Sequence, residues 1–274
     1  MNDVSFSTTD HLNGILKLLE VSFPHETKYS KEYLEWLYLR NPYGVTISAN
    51  LVEERTVNAT YAVLPMRYRF EGQFIDAALS LNTATHPDFR GQGLFPKLAN
   101  LVYESAAAKG KKIVLGVANQ DSIGGFRKHL GFDVLGNVSL RLASSRSHLS
   151  ALKELGVCAS VTSDYLKWRL GNPSAEYSKL VFGSDNLLVA KRKIPFVIGA
   201  SSEDQESLAV NQLLKFSPIS PCFIFSNKNY GIDVPRKIIP SPWYLIVKNL
   251  GLSPSDYSGL KRSMVFCGLD SDTF

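Results

Sequence analysis

Arg90, Gly91, Gln92 and Gly93 form the segment of the sequence best suited to hold an anion. They lie within Leu-Asn-Thr-Ala-Thr-His-Pro-Asp-Phe-Arg-Gly-Gln-Gly-Leu-Phe-Pro-Lys-Leu, residues 81–98, where a strand-like run enters and a helix-like run leaves. Gly91 and Gly93 lack Cβ atoms, so successive backbone N–H groups can turn inward on one oxyanion. The start of the helix adds the positive end of its dipole. Pro96 fits the first helical turn, where a missing N–H costs nothing. This pattern predicts a pyrophosphate cradle, although glycines also serve tight turns for purely steric reasons.

The elements around the cradle follow from period and punctuation. Val4 to Ser7 reads as a short strand, and Thr8, Thr9 and Asp10 offer caps for a helix carrying Leu12, Ile15, Leu16, Leu18, Leu19 and Phe23. Pro24 ends that helix. Ser30 can cap a second helix with Leu34, Leu37 and Tyr38 on one face, stopped by Asn41-Pro42. Thr46 to Glu53, Val57 to Phe70 and Phe74 to Thr85 read as strands, the last two joined by a turn at Glu71-Gly72-Gln73. A helix is expected from Phe95 to Lys109, closed by Gly110, and Ile113 to Val117 suits a buried strand. A short helix to Leu130, closed by Gly131, and a strand from Phe132 to Leu142 complete the order βααβββαβαβ. That order predicts a mixed α/β layer architecture.

The 274 residues and 45% hydrophobic content allow one large domain or two modest ones. A net charge of +5 suits an anionic ligand without naming it. Basic residues are scattered, with Lys111-Lys112 and Lys191-Arg192-Lys193 as short clusters, so no nucleic-acid partner is indicated. Cys158, Cys222 and Cys267 are far apart and form no CxxC pair, which argues for a reducing compartment and against a metal site. The N-terminus lacks a basic start and apolar run, and no run of about 18 apolar residues occurs. A cytoplasmic protein with no membrane span is expected.

With its neighbours, the cradle resembles the acyl-CoA signature of the GNAT N-acyltransferase superfamily, Arg-x-x-Gly-x-Gly/Ala between a strand and a long helix. Asn119, then Ser-Ile-Gly-Gly-Phe-Arg-Lys-His-Leu-Gly-Phe at 122–132, resembles the family's next helix and its closing Gly-Phe. The resemblance spans about residues 1–142. It implies a GNAT fold with a mixed, splayed central sheet flanked by helices, and a short acyl-CoA, such as acetyl-CoA, as donor. It further implies that pyrophosphate and pantetheine lie over Arg90, Gly91, Gln92, Gly93, Leu94 and Phe95. Backbone from Asn82, Thr83, Ala84 and Thr85 would pair with pantetheine amides, and Asn119 and Ser122 would line the far side. The signature's last position is Phe95 instead of Gly or Ala. The position where the family often has a Tyr acid holds Arg127, which cannot donate a proton at neutral pH.

An amine acceptor must lose a proton before it attacks a thioester, so a base near neutrality is wanted. His25 and Glu26, in the loop between the first two helices, are candidates, and Asp76 on a strand is a third because an apolar site raises a carboxyl pKa. His86 beside Pro87 is read as structural, and His129 late on a helix as a dipole partner. His11 and His148 are the remaining histidines.

In the second half, Tyr-Leu-Lys-Trp at 165–168 followed by Asn172-Pro173 echoes Tyr-Leu-Glu-Trp at 33–36 followed by Asn41-Pro42. Internal duplication and chance convergence of two helix endings both fit. No Gly-x-Gly follows the second copy's strands, so a second domain, 143–274, is expected to be a degenerate GNAT-like half that holds the acceptor, with 1–142 holding acyl-CoA. Trp36 and Trp168 fit either a buried helix face or a stacking wall for a sugar. The whole chain looks most like two-part GNAT enzymes that acylate nucleotide-linked amino sugars, with acetyl or 3-hydroxybutyryl as the group moved. Arg169, Lys191, Arg192 and Lys193 are the expected partners of the nucleotide's diphosphate. An aminoglycoside or protein-amine acetyltransferase and a non-catalytic acyl-CoA sensor are the alternatives. The Gly268 to Phe274 tail lacks a full calcium ligand set and reads as solvated.

Overall fold

The structure is a computed structural model. It describes residues 3–6, 9–70, 73–143, 162–182, 185–190, 196–201, 213–214, 222–226, 232–233, 243–264 and 266. His148, Lys191, Arg192, Lys193 and the tail from 267 onward lie outside the described residues.

Apolar spacing accounts for the helices. In α1 (Leu12–Ser22), Leu12, Ile15, Leu18 and Leu19 are buried on one face. Ser30 Oγ accepts from Tyr33 N at 3.1 Å and starts α2 (Lys31–Leu39), as its sequence position predicts. α3 (Leu94–Ala108) buries Leu94, Leu98, Ala99, Val102, Tyr103 and Ala106. Gly110, at φ +80°, ends it. α4 (Ile123–Leu130) ends at Gly131, φ +66°. The strands β1 (Asp3–Phe6), β2 (Ile47–Glu53), β3 (Thr56–Phe70), β4 (Gln73–Thr85), β5 (Ile113–Ala118) and β6 (Asp133–Ala143) stand within a residue or two of their expected bounds.

One connection was not expected. β13 (Trp243–Asn249), from near the end of the chain, inserts between β5 and β6, antiparallel to both. The order β1-β2-β3-β4-β5-β13-β6 makes a seven-stranded mixed sheet, as the resemblance implies. α1 and α2 cover one face with a core that includes Leu37, Leu79, Leu115 and Val247. α3 and α4 cover the other over Tyr61, Val114, Phe126 and Ile246. After β13 comes α6 (Pro254–Ser263), tied to β6 by Lys261 Nζ donating to Asp133 Oδ2 at 2.9 Å. Residues 243–264 thus join the first half's sheet in space, although a cut at 142/143 assigns them to the second half.

The rest of the second half repeats the first half's strand logic. α5 (Ser163–Leu170) is followed by β7 (Tyr177–Phe182), β8 (Asp185–Ala190) and β9 (Phe196–Ser201), successively antiparallel. β11 (Cys222–Ser226) then runs parallel to β9, as β5 does to β4. β6 closes β11 antiparallel, as β13 closes β5. Each half is therefore completed by the last long strand of the other. Two short strands, β10 (Leu213–Leu214) and β12 (Ile232–Asp233), pair with β7 and β6.

The repeated helices meet face to face. Thr162 Oγ1 caps α5 by accepting from Tyr165 N at 3.2 Å, matching Ser30 and Tyr33. The Trp36 and Trp168 rings stack at 4.5 Å and 10°. Trp36 Nε1 donates to Trp168 O at 2.7 Å, and Trp168 Nε1 donates to Trp36 O at 3.0 Å. Asn41 Oδ1 accepts from Tyr43 N and Asn172 Oδ1 from Ser174 N, the same turn twice. The contacts between the two helices are therefore reciprocal, each tryptophan donating to the other's backbone carbonyl. Trp36 is 4% and Trp168 9% exposed. Both are thus core residues and form no open stacking wall. Arg169, 2% exposed, donates from Nη1 to Tyr177 Oη at 2.9 Å and lies 5.9 Å from the Trp36 ring. It is buried between the halves and cannot meet a diphosphate.

Because the two indoles share both a stacking face and two hydrogen bonds, Trp36→Ala and Trp168→Ala should each cost about 3–5 kcal/mol in denaturant unfolding. The double mutant should cost clearly less than the sum. Additive costs would show that the rings do not act as a pair.

Candidate active site

β4 and β5 are hydrogen-bonded neighbours for only three residue pairs, Ala77↔Ile113, Ala78↔Val114 and Leu79↔Leu115. Beyond that they part. A cleft of about 570 Å³ opens in the gap, lined by Ser80 to Thr85 on one side and by Val117, Asn119, Asp121 and Ser122 on the other. Gly116 stands at the fork, where an added Cβ would lie 3.3 Å from Ile246 and 3.4 Å from Ser80.

β4 bends where the strands part. Its register against β3 shifts between Thr60 and Ala62, which leaves Asn82 and Thr83 opposite the single residue Tyr61. Asn82 takes φ +45°, a left-handed conformation that Asn tolerates better than most residues. Ser80 is held by a buried hydroxyl chain. Tyr61 Oη lies 2.8 Å from Ser80 Oγ and 2.6 Å from Tyr103 Oη. Burial pushes the Tyr61 hydroxyl up to about 12 and Tyr103 higher still, so both stay protonated.

The cradle stands at the cleft mouth. Gly91 and Gly93 are exposed, at φ +76° and +69°. Nothing lies within 4 Å of an added Cβ at either position, so the backbone conformation, not crowding, is what calls for glycine. Gly93 is the N-cap of α3, with no side chain on the helix's free N–H groups. Arg90 lines the cleft and donates from Nε to Thr85 O at 3.3 Å. Phe95 lines it too, edge-on to Phe126 at 5.1 Å, and an added Cβ on Gly125 would lie 3.1 Å from its ring. The aromatic ring at the signature's last position thus requires a glycine opposite it on α4.

Of the residues expected to hold the donor, Asn82, Thr83, Ala84, Thr85, Arg90, Phe95, Asn119 and Ser122 all line this one cleft. Gly91, Gln92 and Gly93 are exposed at its mouth, while Leu94 is buried in the core. Asn119 Oδ1 accepts from Asp121 N, Ser122 N and Ser122 Oγ, so its side chain builds the start of α4.

The expected bases fare differently. His25 and Glu26 are exposed and do not line the cleft. Their loop does border it, but through Phe23, Lys28 and Tyr29, together with Ser22 at the end of α1. Asp76 stands six residues before Asn82 on β4, about 20 Å away along an extended strand. Its Oδ1 accepts from Arg67 Nε at 2.9 Å, so it occupies an ion pair and not an apolar site. Arg127 is exposed and outside the lining, where it can neither protonate nor stabilise a leaving thiolate. Among the described residues, no group of His, Cys, Asp and Glu could hold a metal ion. No described helix is long and apolar enough to cross a membrane.

Residues 3–135 match the family model described as an acetyltransferase (GNAT) domain. The chain carries a GNAT domain. It is the domain of an acyl-CoA-dependent N-acyltransferase. No curated protein matches the chain in sequence. Among solved structures, an Enterococcus faecalis protein described as a probable N-acyltransferase is 10% identical, with TM-score 0.61, covering 91% of this chain and 73% of its own. A GCN5-related N-acetyltransferase from Anabaena variabilis is 13% identical, with TM-score 0.56 and coverage of 91% and 73%. Eis1 from Mycobacterium abscessus is 11% identical, with TM-score 0.56 and coverage of 91% and 74%. At these identities the likeness concerns the fold, and it extends past the GNAT domain into the second half.

The two adjacent glycines of α4 give a controlled test of the cleft wall. Gly125→Ala should drive Phe95 into the cleft and weaken acetyl-CoA binding, by about tenfold for a displacement worth 1.4 kcal/mol. Gly124→Ala, with open space around its added Cβ, should leave calorimetric affinity unchanged. Equal effects of the two substitutions would show that Phe95 does not border the bound donor.

Proposed function

We propose that the chain transfers an acetyl or 3-hydroxybutyryl group from coenzyme A to the amine of a nucleotide-linked amino sugar, such as a dTDP-amino-dideoxyhexose. The observation that carries the acceptor class is the charge of the cleft wall. Lys28 lines the α1–α2 side, and Asp121, on the α4 side, is the one carboxylate among the described lining residues. An aminoglycoside is a polycation and calls for several carboxylates. A protein lysine likewise brings a cation to a wall that already holds one. A diphosphate-bearing acceptor is drawn to Lys28 and to the chain's +5 charge. Phe23 and Tyr29 add aromatic surface beside it, suited to a sugar face.

The donor's place follows from backbone left without ladder partners. β4 after Leu79 and β5 after Leu115 no longer pair with each other, so their inner N–H and C=O groups are available to the amides of a pantetheine arm. Arg90 and the uncapped start of α3 suit the pyrophosphate. In this reading the second half holds the acceptor wall in place. Ser174 Oγ donates to Lys28 O at 2.7 Å across the junction of the halves.

Proton handling follows from the same lining. No histidine is among the described lining residues. The Lys28 ammonium disfavours the protonated form of a nearby amine, and water takes the proton that the amine sheds. Coenzyme A thiolate is a good enough leaving group to depart without a dedicated acid.

The test is release of free thiol from acetyl-CoA in the presence of a dTDP-linked amino sugar, an aminoglycoside or a lysine-containing peptide. Release is expected with the nucleotide sugar alone. Release with the aminoglycoside or peptide, and none with the nucleotide sugar, would overturn the acceptor assignment.

A further inference from the structure

We infer that Asn82 and Ser22 form the seat for the attacking nitrogen, an inference that rests on the N-acyltransferase reading and gives it named residues. The motivation is a pair of oxygens without partners. Asn82 Oδ1 and Ser22 Oγ are both buried and make no hydrogen bond, yet both residues line the cleft. Asn82 is only 7% exposed. A buried acceptor left unsatisfied is destabilising, and such atoms in a native fold call for an explanation.

Both oxygens belong to the acceptor's side of the sheet. Asn82 Nδ2 donates to Tyr38 Oη of α2 at 3.5 Å, which places the carboxamide on the face that α1 and α2 cover. Ser22 is the last residue of α1. The cradle stands on the opposite face, at the start of α3. A thioester threaded through the gap between β4 and β5 therefore meets these two oxygens on the face that the donor does not occupy. Conformation alone does not explain Asn82, because glycine would take φ +45° without bringing an orphaned amide.

The chemistry requires hydrogen-bond acceptors here. A neutral primary amine attacks through its lone pair and has two N–H groups left to donate. As the C–N bond forms, the nitrogen becomes positive and those hydrogen bonds strengthen, so the seat favours the transition state over the ground state. The C–S bond then breaks and coenzyme A leaves as the thiolate. The proton shed by nitrogen passes to water, and water supplies one to sulfur. A carboxamide and a hydroxyl are too weakly basic to take the proton, so they position the amine and do not deprotonate it.

Hydroxylamine is a suitable probe, because it is small, neutral at pH 7 and independent of the natural acceptor's body. Acetyl transfer to it is followed by thiol release after subtraction of the uncatalysed reaction, and acetyl-CoA affinity is measured by calorimetry. Asn82→Gly, which keeps the left-handed backbone, should lower kcat/KM for hydroxylamine by about tenfold or more, and Ser22→Ala should lower it by a smaller factor. Acetyl-CoA affinity should stay within about twofold for both. Asn82→Asp, which keeps an oxygen acceptor at the same place, should retain more rate than Asn82→Gly. An unchanged rate in Asn82→Gly would overturn the seat, as would a loss of rate matched by loss of acetyl-CoA affinity. A wild-type protein that binds acetyl-CoA but leaves hydroxylamine unacylated would also overturn it. Failure of the wild-type protein to bind acetyl-CoA at all would instead remove the N-acyltransferase reading beneath it.

Discussion

Everything functional in this chain depends on two parallel strands that pair for three residues and then separate. A continuous β4–β5 ladder would satisfy its own backbone and leave no room for a ligand. Several features make the strands part. Asn82 and Thr83 crowd against one residue of β3 and turn β4 away. The Tyr103–Tyr61–Ser80 hydroxyl chain fixes β4 just before that turn. β5 is held on its other edge by β13 over its whole length, so it cannot follow β4. The separated edges then carry backbone groups outside any ladder, and the start of α3, with no side-chain cap on its N–H groups, follows the end of β4.

β13 makes the second half structurally indispensable to the first. It supplies the strand that supports β5, and Lys248 Nζ on it donates to Leu130 O at 2.6 Å, closing the end of α4. In return β6 closes β11. With the Trp36–Trp168 pair at the junction, neither half can fold as a separable unit without exposing a sheet edge and a large aromatic face. The same junction extends to the cleft through Ser174 and Lys28.

The first half was legible because its signals are local. Caps, closing glycines and apolar period are written within a few residues of the elements they set, and Ser30, Gly110 and Gly131 behave as their types require. The glycine turn before α3 was legible for the same reason, with Gly91 and Gly93 both at positive φ. β13 was not, since Trp243 to Asn249 shows only a short apolar run, and nothing within it says that its partners lie more than 100 residues away. The partner of Asp76 is also written in the sequence. Pairing Phe70 with Gln73 sets Arg67 opposite Asp76, and an ion pair follows from that register. His25 and Glu26 have suitable chemistry and a suitable loop, but which side chains of that loop face inward is decided by packing. Phe23 and Tyr29 turn in, with ring centroids 6.1 Å apart, while His25 and Glu26 between them are left outside. Asn82 was marked for its backbone, whereas its side chain carries the unsatisfied atom.

The account stands on donor binding between the parted strands, and backbone amide hydrogen exchange with and without acetyl-CoA measures that directly. Protection is predicted at residues 81–85 and 91–95, where unpaired strand backbone and the start of α3 receive the ligand, with strands β7 to β9 unchanged. Protection confined to the second half, or none anywhere at saturating acetyl-CoA, would contradict it.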